Sequence, residues 1–449
     1  MLTNMTLTED KITQKKGFQL NDFLSVTLSS LLSCWLILGY IVPNTIWQYI
    51  SARAALAEFE YRIAGWSPNC FPIIATIFSI AIGLSYLQVA KTTQAKRFTR
   101  ILVAFMALYI GRAIDSDNHL MFLPGSIMLL TFCMGLLAAR ISGVSSTGWT
   151  LCFCVSVQAV YTIYYAAIGQ YGLLSGDLYR AGGSFHDPRL VYILFVTAIP
   201  IFVSLCLTIR SRVLQIASSV ACLLPIAALG MTLYRGPLIG TLVSLVWLML
   251  MYRKNKRITR LLVASVLGTT ILTLAIRDSG HINHISSTRS TYARAIVWKR
   301  GCQIFFDHWM IGVGISNVRI VVHSIQHGRS HTDTLKQPLN SMLYWLDEMG
   351  LVGGGMCVII TICILRSIQN NASNISRGVS GSWISLFVAG ISDTTIWLSD
   401  NYAGNVVLGL LIGMTIKLCK VEFNISMKSA IRKYDEVCLL GPIKKISDQ

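Results

Sequence analysis

The chain has 449 residues, of which 53% are hydrophobic and only 13% are charged, and its formal net charge is +18. Soluble proteins carry about 25% charged residues, so this composition excludes an ordinary soluble enzyme or binding domain. Apolar runs recur from end to end, each with the roughly 20 residues needed to cross about 30 Å of hydrocarbon. We therefore predict an all-α, polytopic integral membrane protein.

The apolar runs predict about twelve transmembrane helices. In chain order they lie near residues 23–43, 70–90, 99–112, 120–139, 148–169, 190–209, 213–233, 237–252, 260–276, 340–365, 381–398 and 402–419. The polar first 22 residues contain no short apolar core with a small-residue cleavage site, so we expect the first span to be uncleaved.

This reading divides the chain into four parts. Residues 1–276 hold about nine helices, 277–338 form one large outer loop with short helices, 339–420 hold about three more helices, and 421–449 form a basic cytoplasmic tail.

Every second connection between the predicted spans is basic, which is the pattern of cytoplasmic loops. The basic residues of these connections, with those of the two tails, are Lys11, Lys15, Lys16, Lys91, Lys96, Arg97, Arg100, Arg140, Arg210, Arg212, Arg253, Lys254, Lys256, Arg257, Arg260, Arg366, Arg377, Lys420, Lys428, Arg432, Lys433, Lys444 and Lys445. The alternation predicts both termini in the cytoplasm. It also explains most of the positive charge without a nucleic-acid partner.

The cysteines indicate neither a disulfide framework nor a metal cluster. Most of the twelve fall inside apolar runs, where cysteine packs as a small hydrophobic residue. No Cys-x-x-Cys pair is present.

One arginine interrupts two long apolar runs in the stretch "MTLYRGPLIG" at 231–240. The predicted topology places Arg235 at the outer end of the seventh span, where Gly236 and Pro237 turn the chain into the eighth, with Pro in the first helical turn. Two interpretations are open. The arginine snorkels at the membrane edge, although this is more usual on the cytoplasmic side, or it binds an anion at the outer face.

The predicted outer loop is rich in arginine and histidine. It contains Arg277, Arg289, Arg294, Lys299, Arg300, Arg319, Arg329 and Lys336, and the histidines His281, His284, His308, His323, His327 and His331. Arginine forks match phosphate oxygens two at a time, so the surplus favours a phosphate-bearing substrate. A zinc site on His323, His327 and His331 would need all three on one helix face, and no carboxylate or thiolate accompanies them.

Two outer segments carry further candidate ligands. Residues 291–317 have helical spacing that puts Arg294, Trp298 and Cys302 on one face, and the run ends at glycines. The loop at 176–190 contributes Arg180, His186 and Arg189 around two glycines.

Together these motifs resemble the O-antigen ligase and O-antigen polymerase superfamily of bacterial envelope glycosyltransferases. In order, the motifs are "RAGGSFHDPRL" (180–190), "LYRGPLIG" (233–240), "YARAIVW" (292–298), "DHWMIGVGISN" (307–317), "LNSMLYWLDEMGLVGGG" (339–355) and "AGISDTTIWLSDN" (389–401). The resemblance covers about residues 175–360 and is strongest to the core O-antigen ligase.

The resemblance implies a definite activity. Such ligases take a glycan from undecaprenyl diphosphate on the periplasmic face of the bacterial inner membrane and join it to the lipid A core during lipopolysaccharide synthesis. They use neither a metal nor a nucleotide cofactor. The matching arginines here, Arg235 and Arg294, are then expected to grip the donor diphosphate, with Arg180, His186, Arg189 and Asn340 binding substrate.

The chain departs from the family at two positions. The residue before Asn340 is Leu339, where the family carries a histidine taken to activate the acceptor hydroxyl, and Tyr234 stands where serine is frequent. Loss of that histidine would impair the enzyme unless another base replaces it. His331, in a segment expected to be flexible, is the candidate.

Two alternatives to a ligase stay open. A polymerase would use the same lipid-linked donor and extend another lipid-linked glycan. A transporter for a lipid-linked oligosaccharide would place ionisable residues near the bilayer midplane, and only Asp393 and Glu348 are candidates for that in the late spans.

Overall fold

The computed structural model describes about half of the chain, mostly between residues 93 and 418. The described ranges are 93–114, 132–140, 143–167, 172–174, 178–180, 188–209, 211–232, 235–253, 288–314, 320–326, 329–335, 340–369, 373–391 and 407–418, with single positions at 81, 85, 129, 263, 267, 268, 318 and 405.

Helices make up most of this part of the chain. In order they are α1 (Thr93–Ile114), α2 (Val144–Ala167), α3 (Pro188–Cys206), α4 (Arg212–Met231), α5 (Arg235–Met251), α6 (Thr288–Asp307), α7 (Ser341–Gln369), α8 (Asn374–Gly390) and α9 (Val407–Leu418). A further helical stretch covers 132–140. Two antiparallel hairpins pair β1 (Gly172–Leu174) with β2 (Leu178–Arg180) and β3 (Ile320–Gln326) with β4 (Arg329–Leu335).

Three of the described helices are long and apolar enough to cross a membrane. They cover Val144–Ala167, Val213–Met231 and Ser341–Ile364, and shorter apolar helices cover Val191–Cys206, Gly236–Met251 and Val407–Leu418. Six predicted spans therefore coincide with apolar helices. The total of about twelve stays a prediction, because the span at 23–43 lies outside the described residues and those at 70–90 and 260–276 are described only at isolated positions.

Small residues bring α3, α5 and α8 into close contact. A β-carbon added to Gly240 of α5 would meet the backbone oxygen of Ser385 in α8, and one added to Gly378 would lie 2.8 Å from the Ser204 side chain in α3. The Ser382 hydroxyl donates a hydrogen bond to the backbone oxygen of Thr197. Close approach through glycine and serine is the usual way in which helices associate without a hydrophobic driving force.

These contacts fix the direction of the three helices. Ser204 of α3 and Tyr252 after α5 lie beside the start of α8, where the Tyr252 hydroxyl donates to Asn374 Oδ1 at 3.1 Å. Gly240 lies beside the end of α8. Both α3 and α5 therefore run antiparallel to α8 and start at the end of the bundle where α8 finishes. We call this the α8-exit end.

The described basic connections lie at the opposite end. These are the stretches around Arg212 before α4, Arg253 after α5 and Arg377 in the first turn of α8. The guanidinium of Arg377 lies over the Tyr252 ring, 4.7 Å from its centroid. The basic connections that the sequence pattern singled out, where they are described, thus lie together at one end of the bundle. Its location in the cytoplasm stays a prediction.

The longest helix, α7, is broken at Gly350, which has φ +63° and ψ −161°. The break leaves backbone groups without partners inside the helix, and residues 309–314 after α6 satisfy them. Val313 N–H donates to Asp347 O at 2.8 Å and Gly314 N–H to Glu348 O at 3.0 Å. In return, Leu351 N–H donates to the backbone oxygen of Trp309 at 2.7 Å.

A fourth hydrogen bond joins Val352 N–H to Met310 O at 3.4 Å. Gly312 and Gly314 also have positive φ, at 68° and 95°. We call the paired segments 309–314 and 347–352 the glycine clamp. It ties the segment after α6 to α7 at the break.

The hairpins bear on two features of the large loop. Besides helix α6, the described residues of this loop include the β3–β4 hairpin of residues 320–326 and 329–335, in which His323 pairs with Thr332 and Ser324 with His331. His323 and His331 therefore lie on strands and do not share the helix face that a zinc site with His327 would need. His331 lies within a strand, where a flexible loop was expected.

Alanine at Gly350 should destabilise the protein. The substitution forces a β-carbon into the left-handed region, at roughly 1–2 kcal/mol, and against the backbone of Met310 and Ile311. We expect Gly350→Ala to lower the thermal midpoint in detergent, with a loss of about 2 kcal/mol or more. Gly355→Ala, in the same helix with nothing within 4 Å of the added carbon, is the matched control. Equal midpoints for the two variants would show that the clamp contributes no stability.

Candidate functional site

Three helices that carry candidate ligands begin at the α8-exit end. Arg189 is the second residue of α3 and Arg235 is the first of α5. The start of α7 is tied to the same place, because Asn340 Nδ2 donates to the backbone oxygen of Ile391, which follows α8, at 3.0 Å. The backbone thus brings Arg189, Arg235 and Asn340 to one end of the bundle.

Asn340 has a structural role. Its Oδ1 accepts hydrogen bonds from the backbone N–H groups of Met342 and Leu343, each at 3.0 Å, so it caps the N-terminus of α7. Its amide nitrogen holds that terminus against the end of α8. Both polar atoms of the side chain are engaged in positioning α7. A role for Asn340 in substrate binding stays a prediction.

Helix α6 packs on the first half of α7 through Gly301. A β-carbon added there would lie 2.6 Å from Leu343 Cδ2 and 3.0 Å from Asp347 Oδ2. Next to Gly301 on the same face of α6, Val297 and Val318 are buried in a small apolar cluster with Ile304 and Val313. The chain therefore folds back along α6 after the glycine clamp.

Arg294 lies two turns before Gly301 on the same face of α6, because seven residues make almost two full turns. Its side chain is half-buried and interacts with other groups of the protein. One turn further, Trp298 has a buried indole N–H that has no hydrogen-bond partner in the part of the chain that the structure describes. The predicted face that joins Arg294 and Trp298 is thus present on a helix.

Asp347 is a polar residue of this contact that the motif analysis missed. It is 0% exposed, and within the described part of the chain neither carboxyl oxygen has a hydrogen-bond partner. Glu348, beside it, is 1% exposed but does interact with other groups. Burying a carboxyl group without a partner is costly, and ionisable residues in apolar helices usually mark functional sites. The acidic pair "DE" within an apolar run was the available signal.

The electrostatics of the α8-exit end favour an anion. The N-termini of α3, α5 and α7 all lie there, and helix N-termini carry partial positive charge. Arg189 and Arg235 occupy the first turns of two of these helices. Within the described residues, no three His, Cys, Asp or Glu side chains converge on a possible metal position.

The remaining predicted ligands are not joined to this end by the described contacts. Arg180 is the last residue of β2 and His331 lies within β4. His186, Leu339, Tyr234 and Asp393 lie outside the described residues.

A comparison with known protein families identifies the class. Residues 220–358, from within α4 to the middle of α7, match the family model described as O-antigen ligase. No curated protein matches the chain. The match supports the O-antigen ligase and polymerase superfamily and, broadly, a membrane glycosyltransferase of the ligase or polymerase type.

Removing the ionisable group of Asp347 should stabilise the protein at alkaline pH. A buried carboxyl group without a cationic partner is costly to ionise. Asp347→Asn keeps the shape of the side chain and cannot ionise, so we expect the free energy of unfolding in detergent at alkaline pH to rise by about 1 kcal/mol. The control Asp307→Asn changes an exposed carboxylate at the end of α6, and its effect should stay within about 0.5 kcal/mol. A clear loss of stability in Asp347→Asn would indicate a cationic partner outside the described residues.

Proposed function

We propose that the protein is an O-antigen ligase that acts at the periplasmic face of the bacterial inner membrane during lipopolysaccharide synthesis. It transfers a glycan from an undecaprenyl-diphosphate-linked donor to the lipid A core. The proposal requires neither a metal nor a nucleotide cofactor.

The observation that carries the proposal is the set of arginines on α5 and α6 inside the family match. Arg235 begins α5 at the end of the bundle where three helix N-termini meet, and Arg294 lies half-buried on a helix that packs against α7. A guanidinium group binds phosphate oxygens in pairs, and its charge does not depend on pH in the physiological range. Such a set suits a diphosphate.

The proposed reaction needs charge stabilisation at one place above all. The acceptor hydroxyl oxygen attacks the anomeric carbon of the donor sugar, and the bond from that carbon to the diphosphate oxygen breaks. The leaving diphosphate keeps the electron pair, while the hydroxyl proton passes to a base or to solvent. Fixed cations beside the departing oxygen stabilise the charge that develops in the transition state. Arg235 and Arg294 have this role in the proposal.

The base is the open part of the mechanism. Leu339 cannot accept a proton, and we infer that either His331 replaces the family histidine or the enzyme operates at reduced rate without a base. A diphosphate is already a good leaving group, and general-base assistance contributes about 10²–10⁴-fold. A ligase with Leu339 would therefore be slow without being inactive.

A deletion strain separates the ligase from its closest alternative. Loss of long chains from lipid A with accumulation of lipid-linked polymer supports a ligase. Attachment of single repeat units would identify a polymerase. Lipid-linked donor that accumulates in the cytoplasmic leaflet, with no transfer to lipid A, would identify a transporter.

Alanine at Arg294 should abolish most of the transfer. Losing one cation that stabilises the developing charge costs about 10²–10³-fold in rate, and Arg294→Lys should recover little because an ammonium group cannot make a two-pronged contact. The same result is expected for Arg235→Ala and Arg235→Lys. The assay is glycan transfer to lipid A core in membranes with matched protein levels.

The matched control is Arg300→Ala. Arg300 lies on α6 but is exposed and donates a hydrogen bond to Gln303 Oε1 at 3.0 Å, so its loss should leave transfer near the wild-type rate. Wild-type activity in both Arg294→Ala and Arg235→Ala would reduce these residues to anchors at the membrane edge.

Two substitutions identify the base. If the protein lacks a general base because residue 339 is leucine, Leu339→His should raise the transfer rate by up to the roughly 10²–10⁴-fold that a general base contributes. His331→Ala should then change the rate little. If His331 has taken over, His331→Ala should lose activity and Leu339→His should add almost nothing. An active protein that is indifferent to both changes would place the base elsewhere.

A further inference from the structure

An exposed apolar patch lies at the tip where α6 ends, in the segment expected to face the periplasm. Phe306 is 72% exposed, Trp309 51%, Met310 57% and Ile311 55%. Four large apolar side chains are thus exposed within six residues. Single exposed apolar residues are ordinary, but a patch of them marks an interaction site.

The patch continues onto the membrane-crossing helix α7. Leu351 and Val352 are also largely exposed, and their N–H groups donate to the backbone oxygens of Trp309 and Met310. Further along α7, Val358, Ile359 and Ile362 are exposed as well. The exposed apolar side chains of the tip therefore continue into those of α7, a helix that is long and apolar enough to cross a membrane.

The backbone of the tip is suited to the same surroundings. Irregular backbone at membrane depth is tolerated only where protein groups satisfy its N–H and C=O groups. The glycine clamp does this, because residues 309, 310, 313 and 314 exchange four backbone hydrogen bonds with α7. A loop in water has no need for such complete pairing with an apolar helix.

Two polar residues set the depth of the tip. Asp307 and His308 are exposed beside the patch, and charged side chains are expensive at the bilayer centre but tolerated near its surface. Tryptophan is enriched at the boundary between headgroups and acyl chains. The tip therefore fits the outer boundary of the hydrocarbon and not its middle.

From these observations we propose that the tip at residues 306–311 is inserted among the acyl chains of the outer leaflet, at the headgroup boundary, and holds α6 at a fixed height on the membrane. The occupant of the patch is bilayer lipid. Arg294 lies on the same helix, about 18 Å along the axis from Phe306. Insertion of the tip therefore limits how far Arg294 can lie from the membrane. The proposal does not depend on the transferase activity.

Spin labelling in proteoliposomes tests the proposal directly. On a background without native cysteines, a nitroxide is attached at Met310→Cys and, as control, at Gln303→Cys, which is exposed on α6 one to two turns earlier. Collision rates are measured with oxygen, which concentrates in acyl chains, and with a water-soluble nickel chelate. We expect the ratio of oxygen to nickel collisions to be clearly higher at Met310→Cys than at Gln303→Cys.

Equal access of the nickel chelate to both labels would overturn the proposal, because the tip would then lie in water. Shielding of the Met310→Cys label from both reagents would also overturn it and would indicate a protein partner such as a second copy of the chain. Ile362→Cys, on the exposed side of α7, provides the reference value for acyl-chain contact. Should labelling at position 310 unfold the tip, the label at Ile311→Cys gives the same discrimination.

Discussion

The glycine clamp is the constraint on which the candidate site depends. A helix interrupted by a left-handed residue leaves carbonyl and N–H groups without partners, and these groups are costly to bury in an apolar setting. The break at Gly350 is tolerated because residues 309–314 supply the missing partners. Glycine is required at 312 and 350 because each faces the backbone of the opposing segment with no room for a β-carbon.

The clamp also links the polar and apolar parts of the protein. Helix α6 carries the arginine proposed to bind the donor, and α7 begins at the end of the bundle where α3 and α5 also begin. Through the clamp and the Gly301 contact, α6 cannot shift without disturbing the break in α7. Helix α6 and residues 309–314 are therefore held in a fixed position against α7. Precise placement is what charge stabilisation of a leaving group requires.

The close packing inside the bundle and the arginines at the helix starts have different physical origins. Glycine and serine at the crossings of α3, α5 and α8 allow backbone contact inside a lipid environment. Arginines at helix starts benefit from water and headgroups nearby. The buried Asp347 fits neither pattern, since it lies against Gly301 and its carboxyl oxygens have no hydrogen-bond partner among the described residues. It is a structural cost that stability alone does not explain.

The sequence by itself indicated an apolar helical protein, the positions of six apolar helices and the resemblance to the O-antigen ligase family, because hydrophobicity over about 20 residues and short motifs are local properties. It also indicated Arg235 at the turn between two spans and Arg294 on a helical face. Only the tertiary structure decided that 320–326 and 329–335 pair as a hairpin, that Asn340 caps α7, that Asp347 is buried and that α7 breaks at Gly350. Each of these depends on a partner distant in sequence, and periodicity carries no information about such partners.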